Sequence, residues 1–382
     1  MGRTSSRWSL LLPVAASALL VAACGSSRAP AADYSGRTIT LGAVLSLTGA
    51  GDVFGPQQKQ AIDLAVETVN RAGIDGGRIA VDIQDDGSDP ATAASAAQKL
   101  IGDKRVLALV GPTLAISAAT MHPVAQSHGT PVIATSETGP HIVGDCPGAG
   151  GCSYVFRDSL GEAVAIPAGV KAAVARTHPK TAAIVYAGDY LPSVQALSTF
   201  KQAFADNGVG VADSAAISFS KHDTDFTSAV TAARSQGFGG PVLGDDTFNS
   251  YAVSAAAGMA GIGAFSASGY WAGGSDPTNR AFVSAYQARF RDAKGKAQTP
   301  DEVAAQAYAA VMILAQAARQ ANLGFSDTSK DRQALRSAME GVSLATPMGN
   351  FSFTPAHDAR QPVWINAIDG AGGFINLSSI GG

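Results

Sequence analysis

The apolar and polar positions of the chain alternate between strand-like and helix-like segments. Val106–Val110 is a continuous apolar run, the pattern of a strand buried on both faces of a parallel sheet. Gly111 and Pro112 end this run, residues 115–126 suit a short helix, and residues 130–134 form a second apolar run. The pattern predicts a strand, a helix and a parallel strand.

The rest of the chain repeats this alternation. Residues 39–47 and 78–84 are typical of strands, and the helix predicted over residues 56–71 has its apolar residues at helical spacing. Another helix is predicted over residues 91–101, because Asp89 stands where it can cap a helix that begins at a proline. Such alternation predicts an α/β fold with parallel sheets.

Two loops at strand ends are candidates for ligand binding. In strand–helix–strand units, small ligands bind beyond the carboxyl ends of the strands, where loop amides meet helix N-termini. The loops are residues 111–117 and 135–140, and their hydroxyls belong to Thr113, Ser117, Ser136 and Thr138. Amides and hydroxyls suit a carboxylate better than they suit catalysis. The alternative is that these side chains are only helix caps and turn formers.

The first 23 residues have the pattern of a secretory signal. Arg3 and Arg7 precede an apolar run at residues 10–23, which is shorter than the roughly 20 residues needed to span a bilayer. The ending LVAACG resembles a bacterial lipobox, which implies that Cys24 is acylated and that residues 24–36 form a lipidated tether. An ordinary signal with an incidental cysteine is the alternative. The lipobox predicts an extracytoplasmic protein anchored to the membrane by lipid alone.

The composition is that of an ordinary globular protein once the signal is removed. The 382 residues are 46% hydrophobic and 15% charged, with a formal charge of −3. Loss of Arg3 and Arg7 leaves 25 basic and 30 acidic groups, a net charge of −5. This balance predicts no nucleic-acid partner and no polybasic attraction to a membrane. The mature length suggests about two domains of ~150 residues each.

Two cysteines remain if Cys24 is lipidated. Cys146 and Cys152 flank a Gly/Pro-rich loop, and an exterior compartment is oxidising, so a local disulfide is predicted. A metal site would need further ligands, and no histidine lies near these cysteines in the sequence.

Motifs for catalysis are missing from the sequence. No GxGxxG follows the first strand, and no GxSxG occurs in the chain. The histidines have no metal-ligand spacing. Asp82, Asp85, Asp86 and Asp89 lack the spacing of a calcium loop, which favours a solvated turn. The sequence therefore predicts no enzyme activity, no metal and no cofactor.

Ten segments together point to a family. In chain order they are ITLGAVLSLTGAGDVFGPQQKQAIDLAVETVN, DDGSDP, GPTL, the strand ending in SET, YVFRDSLGEA, KTAAIVYAGDY, DTDFTSAV, PVLGDDTFNS, AAQAYAAVMILAQA and TPMGNFSF. Each is weakly specific alone, but their common order over nearly the whole mature chain resembles the leucine/isoleucine/valine-type periplasmic binding proteins. These are the receptors of branched-chain amino acid ABC importers.

The resemblance implies two doubly wound α/β lobes joined by a three-crossover hinge, with the ligand in the cleft and hinge closure over it. Lobe one would be residues 37–156 plus 277–345, and lobe two residues 157–276 plus 346–382. The expected partners are a small-molecule ligand and ABC permease subunits, and the expected state is a monomer.

The three crossovers would lie near residues 156–159, 270–276 and 346–350. Gly and Pro residues at the second and third of these positions fit hinges independently of the resemblance.

The resemblance also implies a ligand site. Residues 113–117 and 136–138 would hold an α-carboxylate, with Thr138 matching the family's hydroxyl donor and Ala115 standing where many members have serine. Phe54 matches an aromatic that covers the ligand, while Asp189 and Tyr190 lie roughly where the facing lobe has another aromatic. The remaining candidates from these loops are Thr113, Ile116, Ser117, Ser136 and Glu137. Glu137 would either pair with a ligand ammonium or point into solvent.

One part of the family pattern is missing. Between the strand predicted over residues 211–218 and the strand GPVLGDD, the chain has one helix, residues 226–236, so lobe two should be one βα unit short. The family usually takes its ammonium-binding carboxylate from the missing piece, which leaves Glu137, Asp245 or Asp246 for that role. We therefore expect a ligand with a carboxylate or amide and no ammonium. Ligand identity, and transport as opposed to sensing for a membrane partner, stay open.

Overall fold

The computed structural model describes Met1 and residues 33–103, 105–144, 152–220, 227–245, 248–371 and 373–381. Cys24, Cys146 and Asp246 lie outside the described residues. Lipidation of Cys24 and a bridge between Cys146 and Cys152 therefore stay predictions, although the described Cys152 is buried.

The first sheet has five parallel strands in the order β2-β1-β3-β4-β5. The strands are β1 (Thr38–Leu45), β2 (Arg78–Asp85), β3 (Val106–Val110), β4 (Val132–Ala134) and β5 (Val155–Arg157). The helices between them are α1 (Gly55–Ala72), α2 (Pro90–Gly102) and α3 (Ala115–Ser127). The predicted unit of strand, helix and parallel strand is confirmed as β3, α3 and β4, in which Leu109 pairs with Val132.

Apolar burial explains the position of these elements. All five residues of β3 are buried, as expected for a central parallel strand. Three helices from the later part of the chain complete this half: α8 (Pro277–Arg289), α9 (Glu302–Gln320) and α10 (Thr328–Met339). Alanines along α9 are almost all buried, and their small side chains allow α9 to pack closely against α1.

The second half contains two smaller sheets. Strands β6 (Ile184–Ala187) and β7 (Ala216–Phe219) are parallel, whereas β8 (Phe265–Ser268), β12 (Val363–Ile368) and β13 (Phe374–Ile380) form an antiparallel sheet in the order β13-β12-β8. The helices of this half are α4 (Glu162–Thr177), α5 (Leu191–Asp206), α6 (Thr227–Ser235) and α7 (Tyr251–Ala257).

The segment predicted to be short of one βα unit has a single described α-helix, α6, between β7 and Leu243. The strand predicted at GPVLGDD is too long. Within the described residues of this segment only Leu243 pairs with another strand, through an isolated parallel bridge to Phe265. The strand predicted over residues 211–218 begins only at Ala216.

A third small sheet corrects one predicted crossover. Strands β9 (Ser343–Thr346), β10 (Gly349–Phe353) and β11 (Ala359–Arg360) are antiparallel, and Thr346 pairs with Gly349. Residues 346–350 are therefore the turn of a hairpin and do not carry the chain between sheets. Phe351 and Phe353 pack into the same core as α1 and α9, so they belong with the first half. The other lobe boundaries stay predictions. None of the described helices is long and apolar enough to cross a bilayer.

Candidate functional site

A cavity of about 230 Å³ lies beyond the carboxyl ends of β3, β4 and β6. Its position agrees with the rule for ligand sites in open parallel sheets. The described residues that line it come from loops and helix starts of both halves: Phe54, Thr113, Leu114, Ala115, Ser136, Thr138, Gly139, Glu162, Ala187, Tyr190, Pro192, Ser193, Asp245, Asn249, Ser250, Asp301, Glu302, Val303 and Gln306.

The N-termini of four helices meet at this cavity. The first turns of α3, α4, α5 and α9 all contribute lining residues. Helices α3, α4 and α5 have no side-chain cap, so only those first-turn amides that make no bond within the protein are available to a ligand. The Ser117 and Glu162 amides are already engaged, because they donate to the Leu114 and Thr138 carbonyls. Free amides and the positive end of the helix dipole favour a carboxylate. Leu114 and Ala115 bring the start of α3 to the cavity wall, which suits the predicted carboxylate site.

Two of the predicted hydroxyl donors are already engaged within the protein. The Thr113 hydroxyl donates to Gln58 Oε1 at 2.6 Å and accepts from the Ser46 amide at 2.9 Å. The Ser136 hydroxyl donates to the Thr113 carbonyl at 2.8 Å and accepts from Gln58 Nε2 at 3.0 Å. These side chains join the two loops to each other. Their contacts fit the alternative of a structural role in the turns better than a role as hydrogen-bond donors to a ligand. Thr138 Oγ1 lies 3.5 Å from Glu162 Oε1 and can turn toward a ligand.

Glu162 is an acidic lining residue that lies beside Thr138 of the second predicted loop. It is the first residue of α4, and its amide donates to the Thr138 carbonyl at 2.8 Å. Burial, and secondarily the neighbouring Asp245, raise the pKa of Glu162 to about 7. Burial, followed by Asp245 and Glu162, also raises the pKa of Tyr190. A ligand cation at this position would relieve the repulsion between the two carboxylates.

A second acidic pair begins α9. Glu302 is committed to the protein, because its carboxylate accepts from Ser268 Oγ at 2.6 Å and from the Gly269 amide at 2.7 Å. Burial raises the pKa of Glu302 to about 7. Asp301 caps α9 by accepting from the Ala304 amide at 3.2 Å, and burial raises its pKa to about 6.

The structure brings seven of the predicted site residues to the cavity and leaves four elsewhere. Those at the cavity are Phe54, Thr113, Ala115, Ser136, Thr138, Tyr190 and Asp245. Ile116, Ser117, Glu137 and Asp189 do not line it, and Asp246 is outside the described residues. Ser117 is fully buried, and Asp189 accepts from Ser220 Oγ at 2.7 Å. Sequence reasoning missed Glu162, Asn249, Asp301, Glu302 and Gln306. The start of α4 follows the carboxyl end of β5, so the rule that selected the start of α3 could have found it, whereas α9 follows another helix and gave no such signal.

Glu137 follows neither of its two predicted alternatives. It is 1% exposed, and its Oε2 lies 3.7 Å from His122 Nε2 inside the first half. Burial raises the pKa of Glu137 well above its ordinary value and lowers the pKa of His122 to about 4. Burial thus favours the uncharged form of both groups.

The predicted solvated turn at residues 85–89 needs a similar correction. Asp86 is fully buried and accepts from Ser46 Oγ at 2.7 Å. Asp85 accepts from the Leu47 amide at 2.9 Å, so the turn is fastened to the end of β1. No group of three or more metal-ligating side chains occurs in the described part of the chain.

Comparison with known proteins gives consistent matches. The family described as "Periplasmic binding protein" matches residues 38–262 and 238–373. The Leu/Ile/Val-binding protein homolog 3 of Brucella melitensis is 26% identical over 345 residues, 85% of this chain and 89% of the relative. The crystal structure of the leucine-binding protein LivK of Thermotoga maritima has a TM-score of 0.76 at 21% identity, covering 90% of this chain and 98% of LivK. An ABC transporter solute-binding protein of R. palustris in complex with benzoate has a TM-score of 0.76 at 24% identity, covering 90% and 96%.

Proposed function

Since the chain belongs to the periplasmic binding proteins, of the leucine/isoleucine/valine-binding kind, we propose that it is an extracytoplasmic lipoprotein that binds a small α-amino acid in the cavity and delivers it to an ABC permease. Relatives named as amino acid-binding proteins support a ligand-binding role. The cavity chemistry supports the choice of ligand.

The observation that carries the proposal is that the start of α3, Thr138, Glu162 and Asp245 all line the same cavity. The uncapped start of α3 offers amides to a carboxylate, and Thr138 stands within 3.5 Å of Glu162. Glu162 and Asp245 offer negative charge to an ammonium. A zwitterion matches both sets of groups, because its two charges are separated by only one carbon.

This arrangement changes the expectation about the ammonium. The shortened segment after β7 predicted that an ammonium would pair with Glu137, Asp245 or Asp246 or go unpaired, and Glu162 is a further acidic residue at the cavity. With Glu162 and Asp245 both on the cavity wall, the reason for excluding an amino acid falls away. No lysine, arginine or histidine is among the described lining residues, so an anion without an ammonium would meet several carboxylates and no compensating side-chain cation.

A calorimetric screen of the purified protein against the twenty protein amino acids, benzoate and the keto acids of the branched-chain amino acids tests the proposal. We expect at least one amino acid to bind with a micromolar or lower Kd and its keto acid to bind at least tenfold more weakly. Binding of keto acids or benzoate alone would contradict the proposal.

Amino acid affinity should depend on pH through Glu162. Because its pKa is about 7, the Glu162 carboxylate is protonated, and so uncharged, in about half of the protein molecules near neutral pH. Affinity should therefore rise as pH increases from 6 to 8 and fall by up to about tenfold per unit of pH well below the pKa. Titrations at pH 5.5 to 8.5 measure this profile. A Glu162→Gln variant should bind weakly with a flatter profile, and an equally steep profile in that variant would assign the titration to another group.

The lipid anchor is proposed from the lipobox alone, since Cys24 lies outside the described residues. A Cys24→Ser variant should be released from the membrane into the soluble fraction, because acylation requires the thiol. Fractionation followed by immunoblotting measures this, with Cys152→Ser as the control that should stay with the membrane. Equal partitioning of the Cys24→Ser variant and the unaltered protein would remove the proposal.

A further inference from the structure

One carboxylate joins the two halves of the protein beside the cavity. Glu302 is the first residue of α9 in the first half, whereas Ser268 ends β8 in the second half and Gly269 follows it. Glu302 Oε2 accepts from Ser268 Oγ at 2.6 Å, and Oε1 accepts from the Gly269 amide at 2.7 Å. Asn249 Nδ2, which also belongs to the second half, lies 3.4 Å from Oε2. Glu302 therefore binds backbone and side-chain donors of the opposite half.

The donors in the second half are themselves held in place. Asn249 Nδ2 lies 2.8 Å from Ser268 Oγ and 3.1 Å from the Tyr270 carbonyl. Asn366 of β12 donates to the same carbonyl at 2.8 Å and to Asn249 Oδ1 at 3.1 Å. Each of these four residues is 5% exposed or less. A connected and buried polar network of this kind is rigid, so Glu302 is bonded to a fixed part of the second half.

The network lies where the chain passes from one half to the other. Residues 269–276 connect β8 of the second half to α8 of the first half. Hinge motions are absorbed by a few residues of this kind, at the ends of elements and in the segments between them. The Glu302 bonds to Ser268 and Gly269 hold the beginning of this segment, so they restrict a rotation there. Glu302 and Asn249 also line the cavity.

We propose that Glu302 is a positioning residue: by holding the end of β8 and Asn249, it fixes the relative orientation of the two halves and so the width of the cavity. This role goes beyond the proposed function and is independent of which molecule the cavity binds. Without the carboxylate, the buried Gly269 amide would lose its acceptor and residues 269–276 would be free to rotate. The two halves would then adopt a wider range of orientations.

Tryptophan fluorescence reports on this region of the protein. Trp8 lies in the predicted signal, so the mature chain keeps only Trp271 and Trp364 of its three tryptophans. Their ring centroids are 5.7 Å apart. Trp364 pairs with Ser268 across the sheet, and Trp271 belongs to the segment that leaves β8. Emission from the mature protein therefore monitors the end of β8, while small-angle X-ray scattering measures the separation of the halves.

Variants of the dialysed mature protein test the proposal without an added ligand. Glu302→Ala should increase the radius of gyration and shift the tryptophan emission, because all bonds of the carboxylate are lost. Glu302→Gln keeps an acceptor for the Gly269 amide and should give intermediate values. Ser268→Ala removes a donor from the opposite half and should change both readouts in the same direction as Glu302→Ala. The control is Ser254→Ala, since this serine of α7 is 1% exposed and its hydroxyl has no partner in the described part of the chain.

Scattering and emission together decide the outcome. An unchanged radius of gyration in Glu302→Ala, with native circular dichroism, would overturn the proposal even if the emission shifts, because Glu302 would then act only locally. If Glu302→Ala does not fold, unchanged radii in both Glu302→Gln and Ser268→Ala would overturn it in the same way. Either result leaves the proposed function intact, since that function is tested separately by the calorimetric screen.

Discussion

Glu162→Gln is expected to cause the largest loss of ligand binding of any conservative change at the cavity. The substitution keeps the shape of the side chain and removes the negative charge that we propose to face the ligand ammonium. Removing one partner of a buried charged pair costs about 2–5 kcal/mol, which corresponds to at least a roughly thirtyfold increase in Kd. Calorimetry with the amino acid that binds most tightly to the unaltered protein measures the change.

The matched control is Glu67→Gln, the same replacement on the exposed face of α1. Glu67 forms an ion pair with Arg289, and its side chain is 49% exposed, so its loss should leave the Kd unchanged within about twofold. The two variants also separate local from general electrostatic effects, because each removes one negative charge. An affinity of the Glu162→Gln variant within threefold of the unaltered protein would exclude Glu162 as the ammonium partner.

Asp358→Ala should cause the largest loss of stability among the charge removals considered. The Asp358 carboxylate binds Arg157 through two bonds, Oδ1 to Nε at 2.9 Å and Oδ2 to Nη2 at 2.6 Å. Arg157 Nη1 also donates to the Gly139 carbonyl at 2.7 Å. The Arg157 side chain is only 5% exposed, so removal of its partner leaves a buried cation. We expect the free energy of unfolding to fall by about 3 kcal/mol.

This pair also has a structural consequence for the ligand site. Arg157 ends β5, whereas Asp358 precedes β11, so the pair joins the edge of the five-stranded sheet to the small antiparallel sheet. Through the Gly139 carbonyl, the same guanidinium fastens a loop that lines the cavity. Loss of Asp358 should therefore also weaken ligand binding modestly.

Urea denaturation followed by circular dichroism measures the stability change. Asp63→Ala is the comparison, because the Lys59–Asp63 pair on α1 has both side chains at least 40% exposed and should contribute less than about 1 kcal/mol. Similar midpoints for the two variants would mean that Arg157 finds another partner or water when Asp358 is removed.

Much of the fold could be predicted from local patterns. The fully apolar run of β3 and the Asp89 cap of α2 are both determined by nearby residues, and both agree with the structure. The loops after β3 and β4 were placed at the site for the same reason, since the ends of parallel strands lie at one edge of the sheet. The family resemblance depended only on the order of such segments along the chain, so it could be recognised without knowledge of tertiary contacts.

The orientation of single side chains required the tertiary structure. Ser136 has a φ of 71°, a left-handed conformation that is uncommon for a serine and interrupts the alternation expected at a strand end. Glu137 follows it and is buried beside His122, which no periodicity indicated. The hairpin at residues 346–350 is similar, because the same Gly-containing turn suits a crossover or a hairpin until its pairing partner is known.

The acidic character of the cavity was also decided by tertiary structure. Glu162 begins α4 and Asp301 caps α9, so both lie outside the loops after β3 and β4 that the sequence indicated. Packing of the two halves brings these helix starts around one cavity and removes water from their carboxylates, which raises both pKa values. The sequence thus predicted a candidate site at the strand ends, where the cavity lies, because the order of strands and helices follows from local patterns. Which charges face the ligand depends on contacts between distant segments, and these exist only in the folded chain.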